Sequence, residues 1–101
     1  MDTQIEITQD NIAIAYINGR IDTINANQFE ASLKKLLEDE IMDITIDCTN
    51  LNYISSSGLR VFLTLLKGVN AYKGKLTLKS LNSDILDIFN MTGFSSMFTI
   101  I

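Results

Sequence analysis

Three consecutive hydroxyls and a glycine, Ser55-Ser56-Ser57-Gly58, are the residues of this chain best suited to chemistry. They stand between a β-patterned run that ends at Cys48 and an apolar-periodic stretch that begins at Leu59, which places them at the start of a helix. The first N–H groups of a helix lack intrahelical partners, so a serine hydroxyl there serves as a cap or stays free for another role. Ser57 is read as the N-cap, with Gly58 permitting close approach of another backbone. The other role is to accept a phosphate. A phosphoserine carries about −1.5 to −2 charges, a helix N-terminus accommodates an anion, and Arg60, one turn later, is spaced to pair with it. The same anion would alter any interface built on this corner, which makes a workable switch. Ser56 is the competing acceptor.

Other chemistries are excluded by what the chain lacks. It holds no histidine and one cysteine among 101 residues, so neither a Ser-His-Asp nor a Cys-His arrangement can be assembled, nor an ordinary zinc site. There is no Walker-type phosphate cradle and no G-x-G-x-x-G. The carboxylates are scattered over ordinary surface positions, so no catalytic residue, metal site or cofactor is expected. The net charge of −4 argues against a nucleic-acid partner, whose binding depends on Lys and Arg contacts to phosphate. The polar start Met1-Asp2-Thr3-Gln4 is no secretory signal, and no apolar run is long enough to span a bilayer. The lone Cys48 fits a reducing compartment, and more as a small buried hydrophobe than as a redox sensor. The expectation is one compact domain over residues 1–101, cytoplasmic, with its oligomeric state open.

The serines need a scaffold, and the hydropathy pattern supplies one. Ile5 and Ile7, then Ile12, Ile14 and Tyr16, alternate around Asp10-Asn11 and predict a β-hairpin. Ala13, Ala15 and Ile17 make its second strand apolar on both faces, so it belongs inside the sheet. Ala26, Phe29, Leu33, Leu36 and Leu37 form a helical stripe, with Glu30 and Lys34 spaced for an i,i+4 pair. Thr23 or Asn25 is expected to cap that helix, Asn25 and Gln28 resembling a capping box. Ile41 to Cys48 reads as a short strand, and a loop follows it to the serines. A second helix is predicted from about Ser57 to Tyr72. Its apolar residues, Val61 and Leu65 among them, spread over an arc of roughly 200°, wider than the stripe of an ordinary surface helix; part of that arc is open to a protein partner or is simply well buried. Lys73-Gly74-Lys75 turns the chain into Leu76-Thr77-Leu78. Asn82 or Ser83 caps a third helix with Ile85, Ile88 and Phe89 inward and Gly93 at its end. A last strand covers Met97 to Ile101. The fold class is therefore α/β: a small mixed sheet, an N-terminal hairpin followed by parallel βα units, with about three helices.

The motifs that carry this order resemble the STAS family of anti-sigma factor antagonists. Gly19-Arg20-Ile21-Asp22 resembles the family's Gly-x-(Leu/Ile)-Asp, and Tyr53-Ile54-Ser55-Ser56-Ser57-Gly58-Leu59 resembles its Asp-Ser-Ser-Gly block. Asn82-Ser83 through Thr92-Gly93-Phe94 is similar to its third helix and Thr-Gly ending. The resemblance implies a STAS-like fold and phosphorylation at the residue before the glycine, Ser57. It implies two partners: an anti-sigma factor that is also a serine kinase, and a PP2C-type phosphatase that reverses the modification. The expected docking surface comprises Asp22, which the resemblance places near the serine loop unless it only bonds the strand end or helix start, with Thr23, Asn25, Ser55, Ser56, Gly58, Leu59 and Arg60, and with Val61 and Leu65 from the apolar arc of the second helix. Ser55 stands where many members have aspartate, and longer members carry a terminal helix. Two other readings are a STAS docking subunit of a transporter or signalling assembly without phosphorylation, and a small domain binding a nucleotide or phosphate metabolite at Ser55–Gly58.

Overall fold

The hairpin comes first, β1 (Asp2–Gln9) against β2 (Ile12–Ile21). It is followed by α1 (Ala26–Glu38), β3 (Asp43–Ile54), α2 (Ser56–Ala71), β4 (Lys75–Lys79), α3 (Ser83–Thr92), a 3-10 turn over Phe94–Ser96 and β5 (Thr99–Ile100). The computed structural model that gives this order describes residues 2–9 and 11–101. Asp10 of the expected Asp10-Asn11 turn lies outside the described residues. Asn11 is left-handed, φ 66°, a conformation asparagine tolerates better than most residues. The sheet runs β1-β2-β3-β4-β5, antiparallel at the hairpin and parallel thereafter, with one helix in each parallel connection.

Alternation decides which face of the sheet is covered. Ala13, Ala15 and Ile17 of β2, Ile44, Ile46 and Cys48 of β3, and Leu76 and Leu78 of β4 are all buried beneath the helices. Their alternate neighbours Ile14, Tyr16, Thr45 and Asp47 are only half-buried on the opposite face. Phe62 of α2 sits at the centre of the core, 5.5 Å from Phe29 of α1, 6.0 Å from Phe89 of α3 and 6.4 Å from Phe98, all edge to face. Such pairs add about 0.5–1.5 kcal/mol each beyond the area they bury, and these three tie every helix and the C-terminal segment to one layer.

The third strand differs from expectation. Ile41 to Cys48 does not end in a loop: β3 continues to Ile54, and only Ser55 separates it from α2. Register shifts against β2 at Tyr16/Asn18 and Gly19/Arg20 re-phase the pattern, so the inward residues after Cys48 fall at Leu51 and Ile54. Simple alternation is lost over Thr49-Asn50-Leu51-Asn52, and a bulged strand there reads as loop. Three smaller corrections concern local pairing. Asn25 is the N-cap residue of α1, yet its side chain makes no cap bond, so neither it nor Gln28 forms a capping box. The ion pair on α1 is Lys35–Asp39 at 3.3 Å, and among the described residues Glu30 and Lys34 form none. The last strand is limited to Thr99–Ile100, because Phe94–Ser96 takes up a helical turn first. Asn82 caps α3 through a bond from the Ile85 N–H to its Oδ1, and left-handed Gly93 (φ 81°) ends it, as the sequence led one to expect.

Candidate functional site

The carboxyl ends of β2 and β3 and the N-termini of α1 and α2 meet at one corner of the molecule. Ser55 leaves β3 in extended conformation; its N–H donates to the Ile21 carbonyl at 2.8 Å, and its Oγ accepts from the Gly58 N–H at 3.1 Å. The cap of α2 is therefore Ser55, not Ser57, and the helix starts one residue earlier than expected, at Ser56. A single-residue connection leaves only Ser55 with the extended backbone that a cap requires. Gly58 packs directly under Ile21 and Ile54: a Cβ there would lie 2.8 Å from a side-chain carbon of each. That contact fixes the height of α2 over the sheet.

With the cap supplied by Ser55, the next two hydroxyls are released from that duty. Ser56 is exposed and Ser57 half-buried, and neither hydroxyl takes part in a hydrogen bond among the described residues. Ser57 opens into a groove of about 310 Å3 between α1 and α2. Thr23, Asn27 and Glu30 line one side, and Ser57, Arg60 and Thr64 the other. Arg60 is exposed and makes no ion pair among the described residues, where the pairs are Arg20–Asp22 and Lys35–Asp39. A free guanidinium and a free hydroxyl thus share one groove, with the Glu30 carboxylate as the opposing charge.

The turn from β2 to α1 is the other wall of the corner. Asp22 Oδ1 accepts from the Ile24 and Asn25 N–H groups at 3.0 Å each, while the Asp22 N–H donates to Asn25 Oδ1 at 2.9 Å. Asn25 Nδ2 donates to the Arg20 carbonyl at 2.9 Å. Asp22 and Asn25 are thus committed to shaping the turn, and Thr23 is exposed beside the groove.

Val61 and Leu65, expected on a docking surface, are each 4% exposed, and Leu59 is also buried. The wide apolar arc of α2 is covered from three directions, by the sheet, by α1 and by the α3 side of the core, so those side chains are packing residues. Val61 reaches the groove only as part of its floor. Sequence reasoning missed two features here. Ile24 at the turn's tip is 92% exposed, and Arg20 lies 4.7 Å over the Tyr53 ring while its Nε is 3.5 Å from Asp22 Oδ2. The signal for the first was a lone isoleucine in a run of turn formers.

Deeper in the same strand, burial pushes the Cys48 thiol up to about 12, with the Asp47 charge adding to the effect. It is protonated and inert at neutral pH. The side-chain hydrogen bond from Thr49 Oγ1, 2.6 Å long, holds the Asp47 carboxyl below its ordinary value. Among the described residues no group of His, Cys, Asp and Glu is placed to hold a metal ion, and no helix is long and apolar enough to cross a membrane.

A five-stranded mixed sheet backed by helices, with an unbonded serine hydroxyl on the first turn of α2, defines a small α/β domain with a polar corner. The family profile of the STAS domain matches residues 4–101, and the chain belongs to that family. It is 34% identical over 91 residues to BtrV of Bordetella bronchiseptica, a candidate anti-sigma factor antagonist by its name, covering 90% of this chain and 78% of that protein. It is 28% identical over 98 residues to an anti-sigma-B factor antagonist of Staphylococcus aureus, covering 96% and 91%. In fold it is similar to the Bacillus cell fate determinant SpoIIAA in its phosphorylated form, with a TM-score of 0.78 at 17% identity, covering 99% of this chain and 91% of that one.

Proposed function

We propose that this chain is a cytoplasmic, non-enzymatic anti-sigma factor antagonist, acting as one STAS domain and switched by phosphorylation of Ser57. The relatives' names support antagonism of an anti-sigma factor. The observation that carries the switch is the division of labour among the serines. Ser55 caps the helix, which leaves the Ser57 hydroxyl unbonded beside an uncommitted Arg60. Unphosphorylated, the corner binds an anti-sigma factor that is also a serine kinase, and the sigma factor is released. The kinase then joins Ser57 Oγ to the γ-phosphorus of ATP. The bond from that phosphorus to the β,γ-bridging oxygen breaks, ADP leaves, and the hydroxyl proton passes to a base on the kinase. The new dianion stabilises the first turn of α2 and changes the charge of the surface the kinase had bound. A PP2C-type phosphatase hydrolyses the ester and restores it.

Intact-mass measurement after incubation with ATP and the anti-sigma-type kinases of the source organism tests the reading. One phosphate is expected on the wild type and none on Ser57→Ala. Phosphate on Ser57→Ala would move the acceptor to Ser56. No phosphate with any kinase, alongside stable binding to another assembly, would replace the switch by a docking module.

A further inference from the structure

We propose that Ile24 is the apolar anchor through which this corner docks on the kinase that modifies Ser57. The inference rests on the function just proposed and adds the residue that holds the partner. Isoleucine is among the residue types most often buried, yet this one is 92% exposed. A stray exposed apolar side chain needs no explanation by itself; the turn beneath this one gives it significance. Four hydrogen bonds of 2.9–3.0 Å lock the backbone from Arg20 to Asn25, and one of them is accepted from the Ile24 N–H itself. From the other side the Tyr53 ring supports Arg20, whose guanidinium braces Asp22, the residue accepting that N–H. The backbone carrying Ile24 is therefore already ordered, and docking does not have to restrain it.

Position selects the occupant. Thr23, adjacent to Ile24, lines the groove into which Ser57 opens. A protein that brings a phosphoryl donor to the Ser57 hydroxyl must cover this groove and hence the turn forming its wall. The partner's face is an apolar pocket set beside its phosphoryl-transfer site. Arg20 and Tyr53 lie on the far shoulder of the turn, of the residue types that dominate binding energy in interfaces. The phosphate at Ser57 and the anchor at Ile24 thus act on the same complex from two ends: one sets when it forms, the other how tightly.

Titration calorimetry of the full chain against the purified anti-sigma-type serine kinases of the source organism tests this, using wild type, Ile24→Ser and Ile24→Leu. Ile24→Ser is expected to weaken binding at least about tenfold at an unchanged melting temperature, and Ile24→Leu to stay within about threefold of wild type. Binding of Ile24→Ser within about twofold of wild type, with Ser57 still phosphorylated, would overturn the anchor and leave the switch standing. Equal losses for Ser and Leu would also overturn it, since they would show a requirement for the turn's local structure instead of its apolar surface. If no kinase binds the wild type, the proposed function fails and the anchor with it.

Discussion

Ser55 and Ser57 are chemically the same residue two positions apart, and the backbone gives them different tasks. Ser55 holds the Gly58 N–H and is 8% exposed, whereas Ser57 lies inside the first turn with its hydroxyl unbonded. Ser55→Ala is expected to cost about 1 kcal/mol, the usual value of a lost cap. Ser57→Ala is expected to stay within about 0.5 kcal/mol of wild type. Urea denaturation of the two variants measures both, and a larger loss at Ser57 would make its hydroxyl structural. The residue types alone announced hydroxyls at a helix start, but three serines in a row cannot say which one caps. That choice belongs to the path of β3, which ends at Ile54 and leaves a single residue for the turn. Ile24 was legible only in part: a lone isoleucine among turn formers marks it out, but its exposure depends on how Asp22 and Asn25 fold the turn around it.

Elements were easier to read than their edges. The stripes of α1 and α3 and the inner position of β2 follow from periodicity, because a 3.6-residue or two-residue repeat reports directly on a buried face. The broad arc of α2 was ambiguous, since a wide apolar face suits both a crowded core and a docking surface. The structure decides for the core: Val61 and Leu65 are each only 4% exposed. Val61→Asp and Leu65→Asp should therefore lower the melting temperature sharply or prevent folding, because an unpaired carboxylate in an apolar site is costly. Thermal denaturation followed by circular dichroism checks this, and near-native stability would return these residues to the docking surface. Strand β3 was the least legible element. Its two register shifts break the alternation over residues that are polar in any case, so only the pairing with β2 shows that they belong to the sheet.

At the scale of the molecule, the sheet is unevenly secured. Strand β3 has parallel partners on both sides and helices against one face, whereas β1 is paired only with β2, by the hairpin, and its Ile7 is 59% exposed. Local opening is easiest where few apolar contacts must be broken. Native-state hydrogen exchange should find the β1 amides bonded to β2 exchanging well before those of the β2–β3 ladder. Equal protection across the sheet would mean that the hairpin opens only with the whole domain. The serine corner lies on the secure side of this gradient, at the ends of β2 and β3.

The bond from the Ser55 N–H to Ile21, and the close seat of Gly58 on Ile21 and Ile54, mount the first turn of α2 rigidly on the centre of the sheet. A phosphate placed on Ser57, as proposed, would have no hinge to turn and no segment to refold, so the modified and unmodified chains are expected to share one shape. The information the proposed switch would store resides in a covalent bond and not in a conformation. Under the proposed switch its persistence would be the lifetime of a phosphoester, set by the enzymes that make and break it, and thermal fluctuation of the fold would not erase it.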